Sequence, residues 1–180
     1  MDYMEPWKLQ ERTTYKVVTG RIVRINPLQR SGGSDCSRFV SVETRESGTI
    51  NFVVTPETYI ADFVSLSQGM EAHFIYNADL PAILIYPPQF GAVAVVSVET
   101  AANVAAGYFD KRLVNTDNTL KLNVSRNVPV VTSNNQTFYG SPAGHYLLVM
   151  YNMSTRSIPA QTTPEKIVVM CQWNEDNLRR

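Results

Sequence analysis

Apolar and polar residues alternate with a period of two along most of the chain, and no window of about twelve residues keeps the 3.6-residue period of a helix. In the first half this predicts strands over 18–25, 38–43 and 50–54, with turns at Gly32-Gly33 and Ser47-Gly48. A non-strand segment from Thr55 to Gln68 follows, with helical turns expected around Tyr59 to Val64. Strands resume over 70–76 and, beyond a proline-rich loop, over 92–96. The second half repeats the order: 104–114, then 119–124, then 128–132 taken together with 137–139, then 145–151 and 166–170.

The two halves also share landmarks. Tyr76-Asn77 and Tyr151-Asn152 each end the fourth strand, and Gly69 and Gly144 each stand seven positions before the tyrosine. Pro88 and Pro164 follow those tyrosines by 12 and 13 positions. The expected fold is therefore all-β, an internal duplication of two tandem five-stranded OB-like barrels or small β-sandwiches, since five strands with an insertion after the third is the OB order. A single sandwich using all ten strands remains a rival reading. The expected organisation is an N-terminal arm (1–15), a first OB-like domain (16–98), a second (99–172) and a polar C-terminal tail (173–180).

Three sequence stretches carry a resemblance. Ile50-Asn51-Phe52-Val53-Val54-Thr55-Pro56-Glu57-Thr58-Tyr59, Tyr86-Pro87-Pro88-Gln89-Phe90 and Ser154-Thr155-Arg156-Ser157-Ile158-Pro159-Ala160-Gln161-Thr162-Thr163-Pro164 resemble uncharacterised proteins of anaerobic Gram-positive (clostridial) bacteria. The similarity extends through residues 113–124 and covers most of the chain beyond about residue 16. It implies no activity, cofactor or catalytic residue.

Charge narrows the function. Sixteen Lys and Arg balance sixteen Asp and Glu, so the basic excess that accompanies non-specific nucleic-acid binding is missing. The balance is uneven along the chain: residues 46–110 hold seven acids and no Lys or Arg, between flanks richer in basic residues. Such segregation fits either solvated faces of differing sign or contact between copies. The N-terminus has no secretory leader pattern and no stretch has the length of an apolar membrane span. The chain therefore reads as made in the cytoplasm, its final location open to a surface or a particle after lysis.

No catalytic constellation emerges. His73 and His145 lie in strands away from any nucleophile-elbow pattern, and both read as structural or surface histidines. Two His and two Cys, at 36, 73, 145 and 171, lack zinc-ligand spacing. Asp35 and the Asn115-Thr116-Asp117-Asn118 stretch lack the calcium-loop pattern and read as turns. No phosphate-binding glycine loop is present. The expectation is a non-enzymatic chain with no metal and no cofactor.

What remains is interaction. The loop from Asn77 to Phe90 carries Leu80, Ile83, Leu84, Ile85, Tyr86 and Phe90 with three prolines, a stiff apolar segment suited to contact. Its counterpart, Met153 to Pro164, reads as polar and carries Arg156. Different loops at the two ends suit head-to-tail homo-oligomerisation, and an arm bearing Trp7 and Leu9 suits strand addition to a neighbour. The expected function is a self-associating structural subunit. The alternative is an OB-like face binding single-stranded nucleic acid or oligosaccharide, with Arg21, Arg24 and Arg38 as phosphate contacts and Phe39, Phe52 and Tyr59 as a stacking platform.

Overall fold

The computed structural model describes residues 12–28, 35–81 and 85–173, and the alternation of side chains in it produces a nearly all-β architecture. The first half contains β1 (Tyr15–Pro27), β2 (Arg38–Thr44), β3 (Gly48–Val54), the two-residue β4 (Tyr59–Ile60), β5 (Glu71–Asn77) and β6 (Gln89–Ser97). The second contains β7 (Asn103–Phe109), β8 (Leu120–Leu122), β9 (Val130–Thr132), β10 (His145–Tyr151), β11 (Ala160–Thr162) and β12 (Lys166–Val169). Where helical turns are expected around 59–64, one 3-10 turn spans Ala61–Phe63, and the preceding Tyr59-Ile60 pair with β6.

The first half closes into a five-stranded barrel. Its order is β3-β2-β1-β5-β6, and β6 returns to pair with β3 in parallel. The interior takes every second residue of each strand: Ile22, Val40, Val42, Phe52, Phe74 and Val95 are all fully buried there. One long strand serves both sides of the closure, because β1 pairs with β5 over 15–21 and with β2 over 21–27, with a register shift between Ile22 and Arg24. Gly20 lies at this crossover, where an added Cβ would sit 2.5 Å from the Glu43 carbonyl oxygen and 2.7 Å from Val42 Cγ1. Only glycine lets the two backbones approach this closely.

The second half stays open among the described residues. Its main sheet has the order β7-β10-β12-β9, and β8 and β11 form a separate parallel pair. Strand β7 ends at Phe109, short of the expected Val114, because the Asp110 carboxylate accepts the Arg112 and Val114 N–H groups and turns the chain. The segments 128–132 and 137–139, taken above as one strand, instead face each other through an antiparallel bridge between Val131 and Thr137. Nevertheless β9, β12, β10 and β7 follow the same order and senses as β3, β6, β5 and β1. The landmark glycines correspond too: Gly69 and Gly144 have φ of +91° and +76°, and each donates its N–H to the first strand of its half, at Ile22 and Phe109.

A shared core joins the halves. Ile75, Ala94 and Val96 from the barrel meet Tyr146, Leu148, Met150, Val168 and Met170 from the open sheet. Residues near both ends of the described chain join this packing. Thr13, assigned to the arm, is buried and donates its N–H to the Tyr146 hydroxyl. Trp173, assigned to the polar tail, is buried in the shared core and stacks on Tyr15, because its indole supplies apolar surface the core needs.

Candidate interaction surface

The loop following β5 is pinned at both ends by backbone hydrogen bonds. Ala78 N–H donates to the Thr14 carbonyl, the Asp79 carboxylate accepts the Thr14 N–H, and Asn51 N–H donates to the Pro88 carbonyl. On this frame Leu80, Ile85 and Tyr86 point into solvent, Tyr86 with 85% of its surface exposed. Leu80 and Pro81 wall a pocket of about 270 Å³ over Val53 and Gly91 on the outside of the barrel. Phe90 also lines this pocket but is not among the exposed side chains. It stacks on Tyr76 at 4.1 Å and packs against the barrel core, as the alternation along β6 requires. Ile83 and Leu84, like Trp7 and Leu9, lie outside the described residues.

The corresponding loop of the second half is less polar at its surface than its sequence reads. Arg156 is exposed as expected, but so are Met153 (82%) and Ile158 (90%). The loop is held by its own polar residues: the Thr155 hydroxyl oxygen accepts the Gln161 N–H at 2.9 Å, and the Ser157 hydroxyl donates to the Pro159 carbonyl at 2.8 Å. With those groups satisfied internally, the apolar side chains are turned outward. Two further exposed aromatics, Phe63 and Tyr139, fall outside the sequence-derived set. Phe63 follows Asp62 with both residues at positive φ, 57° and 52°, a conformation bulky residues seldom adopt.

The alternative face is divided by the barrel wall. Arg21, Arg24 and Arg38 are exposed, and Phe39 is half-buried on the outside of β2. Phe52 is fully buried inside, stacked on Phe74 at 4.7 Å, because it shares a parity with Ile50 and Val54. It cannot serve as a stacking platform. Tyr59 packs against the shared core, and burial, with Asp62 nearby, pushes its hydroxyl pKa up. Across this wall Arg24, Ser41, Asn51 and Gln89 occupy neighbouring positions on four adjacent strands. Ser41 Oγ and Asn51 Oδ1 are buried there with no hydrogen-bond partner among the described residues.

The histidines have structural surroundings. His73 is buried, and its Nε2–H donates to the Ala101 carbonyl at 3.0 Å, which leaves Nδ1 to accept the Thr19 hydroxyl at 2.7 Å. His145 Nδ1–H donates to the Ala143 carbonyl, and its ring meets the edge of Phe138. Desolvation holds the His73 pKa below the ordinary 6.5, outweighing the opposing pull of the Ala101 carbonyl and of Glu71. The unfolded chain then binds the proton more readily, so His73 contributes stability above about pH 6.5 that is lost on further acidification. Urea unfolding of the wild type at falling pH should show that loss, and His73→Gln should flatten it. Equal slopes for the two proteins would contradict the assignment.

Among the described residues no three His, Cys, Asp or Glu side chains are grouped to hold a metal ion, and no helix is long and apolar enough to cross a membrane. Cys36 and Cys171 are free and exposed. No protein-family model matches the chain, and no curated protein matches its sequence.

Proposed function

We propose that this chain is a non-enzymatic β-rich interaction module, a duplicated OB-like unit that associates with copies of itself as a structural subunit. The observation that carries this reading is the pair of corresponding loops, one between β5 and β6 and the other following β10. The first is anchored by hydrogen bonds at its two ends and the second is bonded through its own Thr155, and each holds apolar side chains in water: Leu80, Ile85 and Tyr86 in one, Met153 and Ile158 in the other. Apolar groups on a preorganised backbone lower the ordering cost of binding and mark contact surfaces when they cluster. The zero net charge leaves little repulsion between copies. The matching strand order of the two halves and the matched glycines support the duplication.

The test is sedimentation velocity over a wide range of protein concentration, on the wild type and on two double variants, Ile85→Ser with Tyr86→Ser and Met153→Ser with Ile158→Ser. The wild type should form oligomers with rising concentration, and each double variant should weaken association by about tenfold or more. A wild type that stays monomeric at millimolar concentration would overturn the reading.

A second reading, ligand binding on the OB-like outer wall, draws on the unpartnered Ser41 Oγ and Asn51 Oδ1 beside Arg24 and Phe39. It favours a neutral hydrogen-bonding ligand such as an oligosaccharide over nucleic acid, because Phe52 and Tyr59 are spent on packing. Nucleic acid that co-purifies and is released by salt would reverse that order.

A further inference from the structure

Among the described residues, strand β1 leaves half of one edge without a partner strand. From Thr14 to Ile22 its even-numbered residues bond toward β5: Ala78 N–H donates to the Thr14 carbonyl at 2.8 Å, Ile22 N–H to the Met70 carbonyl at 2.8 Å, and Gly69 N–H to the Ile22 carbonyl at 2.7 Å. In an antiparallel ladder the odd-numbered residues then turn their N–H and C=O groups to the opposite side. Arg21 faces Glu43 there. Strand β2 ends at Thr44, however, and the chain turns away through 45–47. Val17 and Thr19 therefore have no strand opposite them on that side among the described residues.

Those backbone groups border an open groove of about 880 Å³, lined by Val17–Arg21, the turn at 43–47 and Glu71. Its rim alternates in charge: Arg21 and Arg45 against Glu43, Glu46 and Glu71. The side chains of Val17 and Thr19 are engaged elsewhere, Val17 with the shared core and Thr19 with His73. What the edge offers is main-chain hydrogen bonding, which suits an added strand.

Resting on the self-association proposed above, we infer that the segment Trp7-Lys8-Leu9-Gln10-Glu11 of a second copy adds to this edge as an extra strand. The segment has a strand pattern, with Trp7 and Leu9 alternating against Lys8 and Gln10, and Pro6 stands where proline is tolerated, just before a strand begins. Lys8 and Glu11 carry the two signs of charge that the rim presents. For the chain's own segment to pair here, the chain would have to turn back within residues 12–16. Only residues 12–16 separate Glu11 from Val17, and they are committed: the Arg12 guanidinium lies 3.3 Å from the Tyr108 ring centroid, Thr13 N–H bonds the Tyr146 hydroxyl, and Tyr15 and Lys16 are already paired with β5. No hairpin can form from residues so held.

The test follows individual amides in the full-length protein. Hydrogen exchange at Val17 and Thr19 should slow as concentration rises and oligomers form, while Val18 and Gly20, bonded to β5 throughout, keep their protection. Leu9→Pro removes a donor from the added strand and should weaken association by about tenfold or more and abolish the concentration-dependent protection. A synthetic peptide of residues 1–12, added to dilute wild type, should protect the same two amides. If oligomers form while Val17 and Thr19 exchange at a constant rate, the inference fails and self-association stands. A protein monomeric at every concentration overturns both, and protection at Val17 and Thr19 independent of concentration shows own-chain pairing and overturns the second copy as occupant.

Discussion

Trp173→Ala should lower the unfolding free energy by about 3–5 kcal/mol, the range for removing a large buried aromatic side chain. Trp173 is 4% exposed and lies in a short helical turn at 171–173 whose backbone bonds back to Met170. Its ring stacks on Tyr15 at 4.1 Å, and Tyr15 in turn sets its edge against Tyr146 at 5.9 Å. The loss thus combines buried area with the stack on Tyr15, the residue whose edge-on contact with Tyr146 links β1 to β10. Equilibrium urea unfolding followed by circular dichroism gives the number. Trp173→Phe, which keeps a ring against Tyr15, should recover part of the loss. A change below about 1 kcal/mol for the alanine variant would mean that the indole is dispensable to the shared core.

Phe52→Ala should cost about as much, again some 3–5 kcal/mol, for a different reason. Phe52 is fully buried in the barrel, stacked on Phe74 and tilted against Tyr76 and Phe90, both at 6.2 Å. Truncation leaves a cavity lined by rings that cannot collapse without breaking their own stacks. Phe39→Ala, on the outer wall, removes a half-buried ring and should cost far less. Urea midpoints for both variants, with a titration against single-stranded oligonucleotide, separate core from platform. Equal stability losses, or an oligonucleotide affinity that Phe52→Ala abolishes in a still-folded protein, would contradict the placement of Phe52.

Much of the barrel is legible in the sequence because its strands alternate cleanly. The interior residues Val40, Val42, Ile50, Phe52 and Val54 share one parity, and 145–151 reads as β10 to the residue. Short elements are less legible. Ala160–Thr162 offers three residues between prolines, so nothing in its pattern marks it as β11, whose partner β8 lies forty positions away. At 132–137 the left-handed Asn135 turns the chain back, and two β-prone stretches that read as one strand become two faces of a bridge.

The interaction surface divides in the same way. The exposure of Ile85 and Tyr86 follows from prolines around them, whereas that of Met153 and Ile158 depends on Thr155 and Ser157 satisfying the loop's own backbone. The edge at Val17 and Thr19, which has no strand opposite it among the described residues, could not be read at all. It exists because Gly20 and the register shift after Ile22 hand β1 from one partner to another.

That division of β1 also imposes an order of events on a ribosome. The barrel cannot close until β6 reaches β3, so Gly91 must have emerged before the closing parallel pair can form in full. Even then the outward side of Tyr15 and Val17 faces water until Tyr146 and Trp173 arrive to cover it. Contacts so distant in sequence slow folding, and exposed apolar strands in a partly made chain invite aggregation. The nascent protein should therefore depend on chaperone shielding longest at its earliest strand.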